Sequence, residues 1–576
     1  MLKKNKLVIL LLLIIFLVTL PVSIKLLFEN NRNEISKVTN KSTVKLTTDM
    51  DKMTATMSNE YITLKFNKSG TAYSLLKDGK ELIGNAKGFY CSINGGEGFV
   101  ATSLKVVTNT QDMTDIAYIN SWGELHYVMK SGISGMYSYF VTDNIGKVSE
   151  FRTLYRLDGD IFRNGYNSVK SGALPTIADI KSATKLQDET YQFTDGTVYS
   201  KYDWGDYESR DNVHGLYGNG YGAWLIPASN EYYNSGPMRQ ELMVHTESST
   251  GDGVLLNMLK GSHYGVGDLT IPKNHIYGPW LVYINNGDIS DAKTRASAEE
   301  KAWPYKWLDN ANYPLSRTTV SGTLKITGEK SAEGTTIVLA KPGQEFYTQG
   351  DDYIFYSKAD SKGNFSIPNV RPGSYTLYAY ATNGDITDQF EKDDINVTGT
   401  TMNLGSLNWT SKTYSNSLWR IGTSDRMSSE FKLGNLERQY GLPAKVPADL
   451  TYTIGNSVEA NDWYYAQTKV GSWNVNFNLN KNYNGNAYLT VAIAGVARNP
   501  KVDVYVNGQM EGTLDYSKEN DATTYRSANQ SGRYRNAVIK FPANLLNSGD
   551  NTISFKMSKV DTDGGIMYDI IKLDTD

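Results

Sequence analysis

The chain has 576 residues, a formal net charge of −3 with 21% charged residues, and 40 Tyr, 51 Gly and 10 Trp. That length, at about 150 residues per domain, requires several cores, and so balanced a charge excludes the basic field that gathers nucleic acid. Abundant Tyr, Gly, Thr and Asn favour strands joined by tight turns over helices, so the chain is expected to be all-β and multi-domain. Rings among Asn and Asp side chains also suit a sugar, whose C–H face packs on an aromatic while its hydroxyls take directional hydrogen bonds. The single cysteine, Cys91, excludes an internal disulfide framework and is expected to be a buried, inert thiol.

The N-terminus opens with MLKKNK and continues as LVILLLLIIFLVTL, Leu7 to Leu20. A basic start followed by an apolar run is the pattern of a secretory signal. The apolar stretch extends to Ile24 without an A-x-A cleavage site, so residues 1–25 read equally as an uncleaved anchor with Lys3, Lys4 and Lys6 on the cytoplasmic side. Either reading places the rest of the chain outside the cell, secreted or held at the outer face of the membrane. Residues 26–44 are polar and read as a linker.

From residue 45 to 312, runs such as Tyr61–Phe66 and Met136–Val141 alternate with Gly, Asn and Asp turns, the mark of a large antiparallel sandwich. Near its end Asp291 is expected to cap a helix over AKTRASAEEKAW, which Pro304 stops. Residues 316–407 form a second, smaller sandwich. Residues 409–576 form a third domain of jelly-roll length, in which Asn507-Gly508 marks a hairpin. There, Trp463, Tyr464 and Tyr465 suit either a stacking platform or a core, and Asp561 to Gly565 (DTDGG) offers the oxygen ligands of a structural Ca²⁺ or a plain turn.

Four of five histidines, His214, His245, His263 and His275, fall within 62 residues of the first domain, a spacing that permits neighbouring strands of one sheet. They lack an H-E-x-x-H spacing for zinc. The phrase GNGYG (Gly218 to Gly222) lacks the Lys-Ser/Thr of a phosphate loop and reads as a turn. No G-x-S-x-G elbow occurs in the region, whereas Asp203, Asp206, Glu208, Glu231 and Glu241 leave a glycosidase carboxylate pair open.

The ordered phrases YSKYDW, DNVHGLYGNGYGAWLIPASNEYYNSGPMRQELMVH, LKGSHYG, IYGPWLVYINNG and EEKAWPYKWL resemble the rhamnogalacturonan lyases of polysaccharide lyase family 4. Farther on, GNFSIPNVRPGSYTLYAYA, LWRIGTSDR and GGIMYDIIKLD resemble that family's second and third domains in the same order. The resemblance implies a galactose-mutarotase-like supersandwich carrying the active site, a fibronectin-III-like sandwich, and a jelly roll akin to carbohydrate-binding modules. It also implies β-elimination, by an endolyase-type monomer needing no cofactor, at the rhamnose-(1→4)-galacturonate bond of rhamnogalacturonan I.

Removing the weakly acidic C5 proton of a uronate requires a base within reach and cations that neutralise the adjacent carboxylate. A lysine serves as base only when neutral, which burial or nearby positive charge favours. Lys201 in SKYDW sits among aromatics and matches the family's catalytic lysine, with Tyr202 and Trp204 as candidate substrate contacts. His263 in GSHYG matches the second catalytic residue, as proton donor or carboxylate-orienting group. Arg152 and Arg156 in FRTLYR share one face of a strand, suit bidentate carboxylate binding, and resemble the family's substrate-binding arginine pair. His214, His245, Glu231, Arg239 and Gln240 read as packing or supporting residues. The rival readings are a non-catalytic pectin-binding surface protein and a glycoside hydrolase.

Overall fold

The computed structural model describes residues 44–261, 266–436, 438–521 and 530–576. The first unit is built on a ten-stranded and a nine-stranded sheet, both antiparallel throughout their pairings. Alternation dictates their facing: in Ile62–Phe66 the residues Ile62, Leu64 and Phe66 point inward while Thr63 and Lys65 are half-buried. One continuous core from Val44 to Tyr313 fills the space between the sheets. It is rich in rings, including Phe151 against Tyr277 at 5.2 Å. Cys91 lies in this core, where burial pushes its thiol far above the usual range.

Turn chemistry acts as read. Asn219 and Gly220 have φ of 49° and 82°, and Asn507 and Gly508 have 49° and 86°. Both pairs adopt the left-handed values that let a two-residue loop match the twist of its strands. The helix differs from expectation. It spans Ile289–Ala302 and is capped by Asp288, whose side chain accepts from the backbone N–H groups of Ser290 and Asp291. Asp291 is not the cap, because its carboxylate instead accepts from Tyr283 Oη and Asn285 Nδ2, both at 2.9 Å.

The second unit packs a three-stranded against a four-stranded sheet around Val320, Ile337, Leu377 and Trp409. In the third, four-stranded and five-stranded sheets enclose Trp463, Trp473, Phe555 and Tyr568. Trp463 and Tyr465 are fully buried; they belong to the core and form no exposed platform. The DTDGG segment closes as a turn, with Gly564 N donating to Asp561 O at 3.0 Å and Asn499 Nδ2 donating to the Asp561 carboxylate at 2.8 Å. Among the described residues no helix is long and apolar enough to cross a membrane; residues 1–43 lie outside them.

The histidines do not share one sheet. His214 begins a strand of the nine-stranded sheet and donates from Nε2 to Leu256 O at 2.8 Å, His245 belongs to the ten-stranded sheet, and His275 stacks on Tyr353 of the second unit at 4.5 Å. Burial lowers His214 from 6.5 to about 4, and burial together with Arg371 lowers His275 to about 3. Both folded values lie below the unfolded one, so the unfolded chain binds protons first and stability falls as pH drops from 6.5 towards 4. Each group is worth on the order of 3 kcal/mol across that window. The melting temperature should therefore fall steeply between those limits, and His214→Gln should flatten the slope; an unchanged slope would remove His214 as its source.

Candidate active site

The ten-stranded sheet positions the candidate residues by register. On the strand Phe151–Leu157, Phe151 and Tyr155 turn inward, where Tyr155 Oη accepts from Trp280 Nε1 at 2.5 Å. Arg152, Leu154 and Arg156 must then point to the opposite face. Arg152 stands beside Ser92, Leu154 between Tyr90 and Leu256, and Arg156 beside Val254, which in turn pairs with His245. At about 4.8 Å per strand, His245 and Arg156 lie about 10 Å apart in one row.

Over this face lies the short 3₁₀ helix Lys201–Trp204. Ser200 caps it by accepting from Tyr202 N, and Asp203 reaches back to accept from Ser200 N at 3.2 Å, a reciprocal capping box. Lys201, the first helical residue, also donates its backbone N–H to Glu189 O at 3.0 Å. The result is a cleft of about 440 Å³ lined by Arg152, Arg156, Lys201, Tyr202 and His245, with Leu154, Leu242, Leu256 and Met258 as its apolar floor. Tyr90, Glu150, Asp188, Glu189 and Glu247 complete its walls.

The cations of the cleft are unequally engaged. Arg156 donates from Nε to Asp252 and from Nη2 to Thr250 Oγ1, both at 2.7 Å, and its Nη1 lies 3.4 Å from Glu247. Burial opposes its charge, but the Tyr90 hydroxyl, Asp252 and Glu247 outweigh burial and raise its pKa. Arg152 pairs with Glu150 at 2.9 Å and with Ser92 Oγ at 3.0 Å, and keeps 22% of its side chain exposed against 10% for Arg156. Lys201 Nζ lies 3.8 Å from Asp188 Oδ2, which also accepts from Tyr202 Oη at 2.5 Å, and 20% of the lysine side chain reaches solvent. His245 is buried, and burial, followed by the charges of Lys201, Arg156 and Arg152, holds its pKa well below 6.5. Its imidazole is therefore neutral, with Nδ1 making no hydrogen bond among the described residues.

Thus Arg152, Arg156, Lys201 and Tyr202, chosen from sequence, converge on one cleft. Trp204 does not join them: it does not line the cleft but belongs to the core, where its ring packs so closely over Gly165 that a side chain there would collide with it. His263 lies outside the described residues. His245, read as packing, lines the cleft; its only sequence signal was alternation along Val244–Thr246, too short to orient alone. Burial brings Lys260 down to about 8, yet it is tied to Ser149 O at 2.5 Å and does not line the cleft. Nor do the five carboxylates considered for a glycosidase, of which Glu231 and Asp203 are paired with arginines elsewhere.

Known proteins match the chain over most of its length. Residues 45–304 match the family model "Rhamnogalacturonan lyase B, N-terminal", residues 317–404 match "Polysaccharide lyase family 4, domain II", and residues 417–573 match "Polysaccharide lyase family 4, domain III". A rhamnogalacturonate lyase of Dickeya dadantii is 38% identical over 92% of this chain and 94% of its own length. The Probable rhamnogalacturonate lyase B of Aspergillus terreus is 25% identical over 88% and 92% respectively. Among solved structures, a family 35 carbohydrate binding module from Clostridium thermocellum matches 18% of this chain and 68% of its own at 23% identity and a TM-score of 0.13, too slight a likeness to bear on function.

Proposed function

The chain belongs to the rhamnogalacturonan lyases of polysaccharide lyase family 4, and from that premise we propose that it cleaves the rhamnose-(1→4)-galacturonate bond of rhamnogalacturonan I by β-elimination in the Lys201 cleft. The observation that carries this reading is the convergence of Lys201, Arg152, Arg156 and a neutral His245 over an apolar floor.

In this scheme the galacturonate carboxylate docks on Arg152, whose guanidinium is the more exposed of the pair, while Arg156 adds charge from behind its own carboxylate partners. Neutralising that carboxylate lets the C5–H bond ionise towards an enediolate, whose charge is stabilised by guanidinium groups already held in place, with no reorganisation needed at the moment of reaction. Unprotonated Lys201 Nζ takes the C5 proton, the electron pair forms C4=C5, and the C4–O bond to rhamnose breaks. The departing oxygen takes a proton; His263, the second catalytic residue by family resemblance, is the candidate for that donor or for the group that orients the carboxylate. The neutral ring of His245 suits a hydrogen bond to a sugar hydroxyl without adding charge.

The apolar N-terminal run supports action outside the cell, secreted or at the outer face of the membrane. A non-catalytic binding protein would not need a half-buried lysine set among charge-paired arginines, and a glycosidase would need two carboxyl groups free to face one another, whereas Glu150, Glu247 and Asp188 of this cleft are engaged with Arg152, Arg156 and Lys201. The test is ultraviolet absorbance with rhamnogalacturonan I, with homogalacturonan as control. Elimination should raise absorbance from the conjugated double bond on the first polymer alone, whereas saturated new ends would identify hydrolysis. Retention on the polymer with no new ends would identify binding without chemistry.

A further inference from the structure

The helix that carries Lys201 is also held from the third domain. Arg438 donates from Nη1 to Asp203 Oδ1, across 235 residues of sequence. Asp203 Oδ2 meanwhile accepts from Ser200 N, so one carboxylate joins the third domain to the cap of the Lys201 helix. Arg438 is 4% exposed in its side chain, and its guanidinium lies 5.6 Å from the Tyr202 ring centroid. Just beyond the helix, Tyr207 Oη bonds Ser531 Oγ at 2.5 Å, and Gln240 Nε2 donates to Ser531 O at 2.9 Å and to its Oγ at 3.0 Å. The third domain thus grips the segment at the helix and again at the strand Gly205–Tyr207 that follows it.

A buried ion pair is a poor source of net stability, since removing both charges from water consumes most of the attraction. Burial indeed pushes Asp203 up and Arg438 down, each against the pull of its partner. What such a pair supplies is geometry: Asp203 has its second oxygen fixed on the cap and its first on a rigid guanidinium, so the helix can neither rotate nor slide without losing a buried bond.

We propose that Arg438 of the third domain is a positioning residue for Lys201, acting through Asp203, and that this domain is therefore part of the catalytic apparatus as well as a carbohydrate-binding-type module. The proposal rests on Lys201 being the base. A four-residue helix has little rigidity of its own, and a displacement of about 1 Å at a reacting group costs on the order of 100-fold in rate.

The experiment measures steady-state elimination, melting temperature and polymer affinity of the full chain for Arg438→Ala, Arg438→Lys, Asp203→Asn, Lys201→Ala and the Arg438→Ala/Lys201→Ala double variant. Positioning predicts a 10- to 100-fold fall in kcat with KM changed less than about threefold in Arg438→Ala, and partial recovery in Arg438→Lys. Residual activity in the double variant should equal that of Lys201→Ala, because Arg438 has nothing left to position. If Arg438→Ala fails to fold, Asp203→Asn, which keeps an acceptor in place, carries the same prediction. Full kcat in a folded Arg438 or Asp203 variant, or losses that multiply in the double variant, would overturn the proposal while leaving the Lys201 reading intact. An active Lys201→Ala would instead remove the reading on which it stands.

Discussion

Lys201→Ala should lower kcat on rhamnogalacturonan I by about 100-fold or more, with the melting temperature unchanged, because a positioned base contributes 10²–10⁴-fold. Its contacts explain why folding should survive. The Lys201 side chain is partly solvated, its ion pair with Asp188 is a long 3.8 Å, and Asp188 is more than half exposed. A pair of that kind is worth little to stability. The helix is held instead by Ser200, Asp203 and the backbone of Glu189, none of which the substitution touches. Arg152→Ala should differ in kind, raising KM by about 10- to 100-fold through loss of a charge-assisted pair of about 1.5–3 kcal/mol. Near-wild-type turnover of Lys201→Ala at saturating polymer would withdraw the lysine from the chemistry.

The largest stability effect should come from Glu231→Ala. Glu231 Oε2 accepts from Arg317 Nη1 at 2.9 Å and Oε1 accepts from Arg371 Nε at 2.8 Å, joining the first unit to the second. The three side chains are 1%, 3% and 6% exposed. Burial by itself would raise the Glu231 pKa, but Arg371 and Arg317 outweigh it and hold the carboxyl below its usual range. Removing the carboxylate leaves two guanidiniums buried without their anion, at a cost of about 3–5 kcal/mol. Urea unfolding followed by tyrosine and tryptophan fluorescence should show the first transition moving to markedly lower denaturant. Replacing Glu231, Arg317 and Arg371 together with apolar residues of like volume should recover much of the loss. A shift below about 1 kcal/mol in Glu231→Ala would mean that the interface is held by its apolar contacts alone.

Much of the architecture was legible in the residues because its causes are local. Asn219-Gly220 and Asn507-Gly508 fold as hairpin turns since few other pairs tolerate two successive left-handed residues. The alternation in Ile62–Phe66 fixes which side chains meet the core, whatever strand lies alongside. The all-β, multi-domain organisation followed from composition and the alternation of strands with turns, and the family from long phrases in order. The helix start was misread by three residues because Asp288 and Asp291 are equivalent as caps on paper. Only the strand Ile276–Asn285, ending beside them, engages Asp291 through Tyr283 and Asn285.

The sequence by itself determined which residue types the chemistry has to draw on, and that Arg152 and Arg156 lie on one face of a strand, since a period of two is a property of the chain alone. Tertiary structure decided what stands opposite them. Register between distant strands brings His245 into the arginine row, and packing turns Trp204 into the core while leaving Lys201 at the cleft. It also gives Asp203 to Arg438 and Glu231 to two arginines of another domain. Turn and strand preferences are set by steric contacts a few residues apart. Burial and ion pairing depend on surfaces that meet only after the domains fold, so no local pattern announces them.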